Sequence, residues 1–331
     1  MKATLRYLAG IAGPSGFGSN STAEHVTQHC FPFLPSNLTA LITGASSGIG
    51  AETARVLAKR GVRVVIGARD LKKASEAREN ILKESPKAEI LLLEIDLSSF
   101  ASIQIFCSQF LALELPLNIL INNAGIYSPN LEFSEQKIEM TFATNYLGHF
   151  LLTNMLLENM IDTAKDTGIQ GRIINVSSEV HSWVKGANSF HFNDMVTGKN
   201  YNGTSAYAQS KLANILHVKE MALQLKARNA RVTINAVHPG IVKTEIIRAR
   251  KGFITESVFF IASKFLKSTS QGASTTCYVA LSPQTKGVSG KYFTDCNESN
   301  CSVLANDELE AQKLWNNTLA LLHKQLSQAS S

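Results

Sequence analysis

Short apolar runs alternate with segments of helical spacing along most of this chain. The runs span five to nine residues each: ALITG, VRVVIGA, EILLLEIDL, LNILINNAG, RIINVSS and VTINAVHPG. Continuous apolar runs of this length are typical of strands buried on both faces of a sheet. The segments that show helical spacing are 50–60, 70–84, 99–112, 134–162 and 205–228. Strand and helix in repeated alternation predict an α/β fold with a doubly wound parallel sheet and right-handed crossovers.

The sequence divides into an N-terminal extension and one domain. Residues 1–36 are rich in Gly, Ser and Thr without long periodicity, and we interpret them as a flexible extension or a peripheral anchor. No linker or internal repeat interrupts residues 37–326, which predicts a single domain. A last strand, GKYFTD, brings the expected sheet to about seven strands, mostly parallel, and a helix over DELEAQKLWNNTLALLHKQL closes the domain.

Composition narrows the function classes. The net charge is +6, but no block of five basic residues occurs, so we expect no nucleic-acid partner, while a phosphate-bearing small molecule stays open. The five cysteines include no CxxC pair, so the sequence does not support a metal site. Free thiols in a reducing compartment, such as the cytoplasm, are the expectation, and a redox-sensitive Cys296–Cys301 pair is the alternative.

The N-terminus leaves three interpretations open. No apolar run reaches the ~18 residues that a membrane-spanning helix needs. The opening MKATLRYLAGIAG has two basic residues and a short apolar stretch. A peripheral membrane anchor, part of an organelle-targeting segment and a frayed tail all fit this pattern.

The stretch TGASSGIG, residues 43–50, follows the first predicted strand and begins the first helix. Gly44, Gly48 and Gly50 allow a tight turn and a close approach of ligand to backbone, and the helix N-terminus presents N–H groups to phosphate. A glycine-rich turn alone is weak evidence. Its place between a buried strand and a helix favours a dinucleotide site.

The residue after the second strand bears on cofactor choice. Sheets that bind NAD usually place an acid here for the ribose 2′-hydroxyl. The run VVIGARD has Arg69 instead, and a guanidinium suits a 2′-phosphate. Asp70 follows directly and is able to neutralise it. We therefore expect NADP(H), with NAD(H) as the alternative.

Polar residues also follow the third and fourth strands. Asp96 in EIDLSS suits the adenine amino group, although a helix N-cap is the competing interpretation and Ser98 or Ser99 could supply that cap. INNAG ends the fourth strand with small residues that would admit the adenosine ribose. Asn122 and Asn123 could equally tie strands together.

In TSAYAQSKLAN, Tyr207 and Lys211 are four residues apart in a predicted helix, so they lie on the same face. A phenol beside an ammonium is able to exchange a proton. Alone, such a pair is usually a surface pair. Here a strand that ends in serine and a glycine-rich turn both precede the pair in the sequence, which favours the proton-transfer interpretation.

The motifs TGASSGIG, NNAG, NYLGHF, NVSS, YAQSK and HPGIVKT occur in the order and spacing of the short-chain dehydrogenase/reductase family, which the chain resembles over about residues 38–322. The resemblance implies a three-layer Rossmann fold. It is greatest to the retinol-dehydrogenase-like branch, and QGASTTCYVALSPQTKGVSGKYF resembles plant members associated with the chloroplast inner-envelope import (Tic) complex. The chloroplast envelope is thus the alternative to the cytoplasm.

The resemblance implies a catalytic set of four residues. Tyr207 is the implied proton donor or acceptor, and Lys211 is implied to bind the nicotinamide ribose and stabilise the tyrosinate. Ser178, the second serine of NVSS, would bind the substrate oxygen, and Asn145 would hold a water in the proton path. A free tyrosine titrates near 10, so proton exchange near neutral pH requires this stabilisation.

The resemblance also implies the cofactor contacts. In HPGIVKT, Pro239 and Gly240 form a turn, and Val242 and Thr244 would contact the nicotinamide amide. His238 and His149 are expected to be structural. The full set of implied cofactor residues is Gly44, Ser46, Ser47, Gly48, Ile49, Gly50, Arg69, Asp96, Leu97, Asn123, Ala124, Gly125, Tyr207, Lys211, Pro239, Gly240, Val242 and Thr244.

Two segments are expected to contact substrate. The stretch between Ser178 and Tyr207 is long and contains Trp183, Phe190 and Phe192, so we interpret it as a loop over the site. A substrate loop is expected at about 243–270, and the phenylalanines of FITESVFFIASKFL favour a lipophilic substrate, although a buried helix would use the same residues.

The motifs and the resemblance together lead to two functional hypotheses. The first is NADP(H)-dependent interconversion of an alcohol and an aldehyde or ketone on a lipophilic small molecule. The alternative is a cofactor-sensing interaction subunit of a plastid import complex. A homodimer through the segment 134–162 stays open.

Overall fold

The protein was analysed as a computed structural model, which describes residue 7 and residues 9–30, 34–185, 190–242 and 266–329. Its strands form one sheet in the order β3-β2-β1-β4-β5-β6-β7-β8. The strands are β1 (Thr39–Thr43), β2 (Arg63–Ala68), β3 (Ile90–Glu94), β4 (Ile119–Asn122), β5 (Gly171–Val176), β6 (Val232–His238), β7 (Tyr292–Thr294) and β8 (Asn297–Ser299). The predicted α/β Rossmann fold in a single domain is confirmed.

The sheet has one strand more than we predicted. Strands β1 to β7 pair in parallel, and β8 pairs antiparallel with β7 through a tight connection at Asp295 and Cys296. Both connecting residues have positive φ angles, 50° and 63°. A three-residue edge strand has too little length for a periodic pattern, which is why the sequence did not reveal it.

Helices cover both faces of the sheet. They are α1 (Ala23–Cys30), α2 (Gly48–Lys59), α3 (Leu71–Glu84), α4 (Phe100–Leu111), α5 (Gly148–Thr167), α6 (Phe192–Thr197), α7 (Gly203–Ala227), α8 (Thr269–Leu281) and α9 (Glu308–Ala329). One apolar core joins the sheet to α4, α5, α7 and α9, and the other joins it to α1, α2, α3 and α8. In the part of the chain that the structure covers, none of the helices has the length and apolar character to cross a bilayer.

Part of the predicted N-terminal extension packs into the domain. Helix α1 lies on α2 and α8, and Val26 and Cys30 are buried. Phe17 is buried against Tyr278 of α8. The Asn297 side chain accepts from the Ser15 N–H and donates to the Phe17 carbonyl. Residues 15–30 are therefore part of the fold rather than a free tail, because burial of these side chains holds a helix too short to be stable alone.

The helix predicted over 134–162 begins later. Residues 133 and 139 form an isolated antiparallel bridge, and Lys137 has a φ angle of 55°. The Glu139 carboxylate then caps a short helical turn, Met140–Phe142, by accepting from two backbone N–H groups. A π-helical turn, Ala143–Leu147, leads into α5. The cap is a side-chain contact that helical spacing alone does not reveal.

The order of the strands positions the site. The chain first builds the sheet outward through β1, β2 and β3, and then returns to place β4 on the other side of β1. Beyond the carboxyl ends of β1 and β4 the connections therefore diverge to opposite faces and leave a crevice. Open parallel sheets bind ligands at this reversal point.

Candidate active site

The glycine turn after β1 packs directly against the turn after β4. Gly44 has a φ angle of 67°, and a Cβ atom on it would lie 2.8 Å from the Ala124 Cα. A Cβ on Gly50 would lie 2.4 Å from the Asn123 side-chain amide. Only glycine fits these two positions without displacing the neighbouring turn. Ser47 begins α2 as its N-cap, but its side chain makes no capping hydrogen bond.

Thr43, at the end of β1, holds the two turns together. Its hydroxyl accepts the backbone N–H groups of Asn123 and Ala124 at 3.0 and 3.1 Å. The Asn123 side chain donates to the Thr43 and Gly44 carbonyls. Asn122 bonds Thr153 and Asn175 instead. Both asparagines thus tie strands together, which was one of the two interpretations left open.

Lys211 is a buried residue of α7, and its side chain extends toward the carboxyl end of β5. Its Nζ donates to the Val176 carbonyl at 2.9 Å and lies 5.6 Å from the centre of the Tyr207 ring. A Cβ on Gly125 would lie 3.4 Å from this nitrogen, so the absence of a side chain there keeps the ammonium accessible from the β4 turn. Burial lowers the pKa of Lys211 to about 8, so the ammonium form still dominates at neutral pH.

Asn145 lies in the π-helical turn and is fully buried. Its Oδ1 accepts from the Ile126 N–H at 2.8 Å, and its Nδ2 donates to the Ile126 carbonyl and to the Ser210 hydroxyl, both at 3.0 Å. Ser210 in turn donates to the Tyr207 carbonyl. The amide side chain of Asn145 therefore braces the β4 turn against α7.

Ser178 stands at the exit of β5, where a short 3₁₀ turn, Glu179–Trp183, begins. Its hydroxyl accepts from the Val180 N–H at 3.5 Å, which is a weak contact. The preceding Ser177 is buried and donates to the Lys211 carbonyl at 2.7 Å. This bond joins the end of β5 to the turn of α7 that carries Lys211.

Tyr207 is half-buried in the first turns of α7. The ring of Tyr127 meets it edge-on, with the ring centroids 6.1 Å apart. The fold thus brings Gly125, Asn145, Tyr207 and Lys211 together from three separate segments, with Ser178 at the neighbouring strand end.

The predicted adenosine contacts lie at the ends of β2 and β3. Arg69 is exposed and forms no ion pair within the described part of the chain. Asp70 caps α3 by accepting from the Lys73 N–H at 3.0 Å, so its carboxylate is not paired with Arg69. Asp96 accepts from the Ser98 N–H and hydroxyl, and Ser99 supplies the N-cap of α4. The competing N-cap interpretation of Asp96 is therefore wrong.

The turn after β6 contains Pro239, Gly240 and Val242. Gly240 has a φ angle of 85°, which favours glycine. Val242 is buried and forms an isolated parallel bridge with Lys267. Thr244 and most of the expected substrate loop, residues 243–265, lie outside the described residues.

The stretch between Ser178 and Tyr207 is more structured than the expected loop. Phe190 is buried in the core, and Phe192 begins α6 and packs edge-on against Phe142 at 5.9 Å. Trp183 alone of the three predicted aromatic residues is mostly exposed, at 56%. Phe190 and Phe192 are therefore packing residues, which contact the core just before and at the start of α6.

Sequence reasoning missed the residues that hold the site in place: Thr43, Ile126, Ser177, His181 and Ser210. Each acts through a hydrogen bond to backbone or to a side chain distant in sequence. Thr43, Ser177 and Ser210 do lie inside the recognised motifs, so their position beside the implied residues was an available signal.

The residues fit a nicotinamide dinucleotide. The glycine turn has backbone without side chains beside the N-terminus of α2, where the N-cap residue Ser47 makes no side-chain capping hydrogen bond. The Lys211 ammonium has three donors and one hydrogen-bond acceptor among its described contacts. Arg69 presents an unpaired guanidinium at the end of β2, where a 2′-phosphate would lie.

Comparison with known proteins agrees with this geometry. The sequence model of the family described as short chain dehydrogenase matches residues 38–189 and 194–252. A relative from Brassica napus, "Short-chain dehydrogenase TIC 32 B, chloroplastic", is 48% identical over 95% of this chain and 97% of its own length. Human "Retinol dehydrogenase 14" is 39% identical over 86% of each chain.

A solved structure supports the fold. An uncharacterised protein from Mycobacterium paratuberculosis superposes with a TM-score of 0.69 at 28% identity, covering 88% of this chain and 96% of the other. The family model spans more than half of the chain, and both relatives exceed 30% identity over most of it. The resemblance inferred from the motifs is confirmed: this chain belongs to the short chain dehydrogenase family and is an oxidoreductase.

Proposed function

We propose that this chain is an NADP(H)-dependent oxidoreductase that interconverts an alcohol and an aldehyde or ketone on a lipophilic small molecule. The observation that carries the proposal is the buried Lys211 ammonium, which lies over the Tyr207 ring and next to Gly125 and Asn145. A buried cation beside a phenol at a ligand-binding crevice is an arrangement suited to proton transfer.

Each of the four residues has a distinct task in this proposal. Tyr207 gives a proton to the carbonyl oxygen during reduction and removes it from the hydroxyl during oxidation. Ser178 donates a hydrogen bond to the same oxygen and orients it. Lys211 stabilises the tyrosinate by its charge, and each pKa unit of such stabilisation corresponds to about 1.4 kcal/mol. Asn145 holds the β4 turn and α7 at a constant separation.

The cofactor, when bound, supplies or accepts the hydride. The residues that would hold it are the glycine turn with the start of α2, Arg69 at the adenosine end, and Lys211 with the turn at Pro239 and Gly240 at the nicotinamide end. Their bare backbone and positive charges suit a dinucleotide with several phosphates.

Two observations support a lipophilic substrate. Trp183 follows Ser178 by five residues and Ile241 adjoins Gly240, and both side chains are more than half exposed, at 56% and 53%. Exposed apolar side chains in the two segments that follow Ser178 and Gly240 favour an apolar ligand. The relatives named as retinol dehydrogenases support the same choice, since retinol is an apolar alcohol.

The direct test is a substrate screen with the purified protein, which follows the absorbance of the reduced cofactor with a panel of alcohols, aldehydes and ketones. We expect turnover with NADPH or NADP⁺, and higher kcat/KM for long-chain or ring-bearing carbonyls than for short polar ones. Absence of turnover across the panel with either cofactor would contradict the proposal.

Arg69→Ala should raise the dissociation constant for NADPH by about 10–100-fold, because a charge-assisted hydrogen bond to phosphate contributes roughly 1.5–3 kcal/mol. NADH binding should change much less, since NADH has no 2′-phosphate. Titration of the protein with each cofactor, followed by fluorescence, measures both values. Lys83→Ala removes an equal charge from the far end of α3 and should leave both constants unchanged. An equal effect of Arg69→Ala on NADPH and NADH would contradict the assignment.

The chloroplastic relative supports a second role and a compartment. The 48% identity to a protein named as chloroplastic favours the chloroplast over the cytoplasm for this chain. We propose, as a second role, cofactor-sensing interaction with a plastid import complex that is separable from catalysis. Partner capture from chloroplast envelope extracts, with and without NADPH, tests it: capture that Tyr207→Phe retains and NADPH changes would support this role, and capture indifferent to NADPH would contradict it.

A further inference from the structure

Two buried histidines contact the backbone carbonyls of two proposed active-site residues. His149 follows Asn145 by four residues, and its Nδ1 lies 3.1 Å from the Asn145 carbonyl oxygen. His181 follows Ser178 by three residues, and its Nδ1 lies 2.7 Å from the Ser178 carbonyl oxygen. The two side chains are 2% and 1% exposed, so both contacts are shielded from water.

The partners of each ring determine its protonation. A carbonyl oxygen only accepts, so Nδ1 carries the hydrogen in both rings. The Nε2 of His181 lies 3.1 Å from the Ser302 backbone N–H, which only donates. The Nε2 of His149 lies 2.8 Å from the Thr43 hydroxyl, whose oxygen already accepts two backbone N–H groups. The other acceptor of this hydroxyl, the Ile121 carbonyl, lies 3.5 Å away, so the shorter bond to His149 takes the proton. Both Nε2 atoms are therefore acceptors, and both rings are neutral Nδ1–H tautomers.

Each ring connects a proposed catalytic residue to a distant part of the fold. His149 joins Asn145 to Thr43, the residue that holds the glycine turn. Thr43 precedes His149 by 106 positions in the chain. His181 joins Ser178 to Ser302, which lies in the segment after β8 and follows His181 by 121 positions. The rings are thus cross-links between the catalytic segments and the rest of the domain.

The local backbone explains why such cross-links are needed. Asn145 lies in a π-helical turn, where backbone hydrogen bonds are spaced more widely than in an α-helix. Ser178 lies where β5 has ended and only a short 3₁₀ turn follows. At Asn145 the helical hydrogen bonds change their spacing, and at Ser178 the strand ladder has ended, so at both positions a side-chain contact adds a restraint to the backbone bonds.

We propose that His149 and His181 are positioning residues, which hold the backbones of Asn145 and Ser178 in the arrangement that proton transfer through Tyr207 requires. The inference rests on the proposed function, because it assigns these histidines a task in that reaction. Displacement of a catalytic group by about 1 Å is able to cost 100-fold in rate, so loss of either contact has a measurable effect.

Two other histidines provide an internal contrast. The Nδ1 of His217 accepts from the Asn175 side-chain amide at 3.3 Å, and the Nδ1 of His238 accepts from the Glu179 N–H at 3.2 Å. Both should therefore carry the hydrogen on Nε2, opposite to His149 and His181. His217 is as buried as His149 but contacts none of the proposed catalytic backbone, which makes it a matched control.

The first experiment measures the tautomers in the native chain by ¹⁵N NMR of labelled imidazoles at pH 7. Each signal is assigned by its loss in the corresponding histidine variant. We expect the Nδ1–H tautomer for His149 and His181 and the Nε2–H tautomer for His217. The Nε2–H tautomer at either His149 or His181 would overturn the proposal for that residue. This readout needs neither substrate nor cofactor.

The second experiment compares two substitutions at each position. Asparagine places an amide nitrogen near the position of Nδ1 and retains the bond to the carbonyl, whereas phenylalanine fills the space without a donor. His149→Phe and His181→Phe should each lower kcat by about 10–100-fold. His149→Asn and His181→Asn should recover most of that loss. His217→Phe should lower the thermal midpoint and leave the kcat of the folded protein unchanged.

The outcomes separate this inference from the proposed function. If His149→Phe and His181→Phe retain the parent kcat while Tyr207→Phe loses activity, the positioning role is refuted and the proposed function stands. If Tyr207→Phe is as active as the parent, the proposed function itself fails. Where a phenylalanine variant does not fold, an Nε2–H tautomer in the native chain would still overturn the proposal, and so would a folded asparagine variant that loses kcat by about 10–100-fold.

Discussion

Tyr207→Phe is expected to lower kcat by about 10²–10⁴-fold, the usual contribution of a positioned general acid or base. The substitution removes one hydroxyl and keeps the ring, which packs edge-on against Tyr127 and lies beneath the Lys211 ammonium. The fold should therefore persist. Binding of the reduced cofactor should change little, because the loss falls on the proton-transfer step.

The measurement is single-turnover reduction with NADPH, paired with a thermal melt and a cofactor titration. Tyr278→Phe serves as the matched control, since it removes a tyrosine hydroxyl on α8 that bonds Gln284 at 3.1 Å outside the crevice. We expect this control to retain its kcat. A Tyr207→Phe variant with parental kcat would remove Tyr207 from the reaction, whatever its position.

The free energy of unfolding should fall steeply between pH 7 and pH 5, because the fold buries several neutral histidines. Burial lowers the pKa of His238 to about 3 and also lowers the pKa of His181. Burial lowers the pKa of His149 to about 4, and burial together with the nearby His149 lowers the pKa of His217 to about 3. In the unfolded chain all four titrate near 6.5. Between these values the unfolded state binds more protons, so stability is full above pH ~6.5 and is lost as the pH falls.

The expected size follows from the separation of the pKa values. At pH 5 each histidine is about 1.5 pH units below its unfolded pKa, which corresponds to roughly 2 kcal/mol for each of His149, His217 and His238. Denaturant titrations at pH 7 and pH 5 measure the total difference. Calorimetry in two buffers of different ionisation enthalpy should show an uptake of about three protons on unfolding at pH 5 from His149, His217 and His238, with a further contribution from His181.

A variant isolates the cause. His217→Phe removes one of the titrating histidines, so its stability should be lower at pH 7 but should fall by about 2 kcal/mol less than that of the parent toward pH 5. Carboxylates with lowered pKa values, such as Glu24 and Glu84, act at lower pH and are unchanged in the variant. The same slope in parent and variant would show that His217 does not titrate as its burial implies.

Several features of the fold could be predicted because they depend on short-range pattern. Buried strands appear as apolar runs, and five of the helices begin within two residues of the predicted starts, among them α2 at Gly48 and α7 at Gly203. The motifs identified the family because their order is specific. The positions of Gly44, Gly125, Tyr207 and Lys211 around one crevice then followed from the family's fold.

Other features depend on contacts between distant residues. Helix α1 has eight residues, too few to signal a stable helix, and it forms because Phe17, Val26 and Cys30 are buried against α8 and the adjoining core. Strand β8 is three residues long. The start of the helical region at Met140 depends on the Glu139 carboxylate turning onto two backbone N–H groups.

The roles of the histidines show the same division. NYLGHF and NVSSEVH place His149 and His181 close in sequence to Asn145 and Ser178, so their proximity was visible from the start. Their hydrogen-bond partners were not, because Thr43 and Ser302 lie more than 100 residues away in the chain. A sequence shows which residues are adjacent in the chain. The tautomer of a histidine also depends on the hydrogen-bond partner of its Nε2 atom, which only the folded structure reveals.

By itself the sequence determined the family and the doubly wound sheet, and it named the residues proposed for proton transfer, because these are encoded in local pattern and ordered motifs. The tertiary structure alone decided that Asn145 braces the β4 turn, that Asp70 leaves Arg69 unpaired, and that buried histidines link Asn145 and Ser178 to Thr43 and Ser302. Each of these features depends on hydrogen bonds or burial between segments that are distant in the sequence. The geometry of such contacts is set by tertiary packing and not by spacing along the chain.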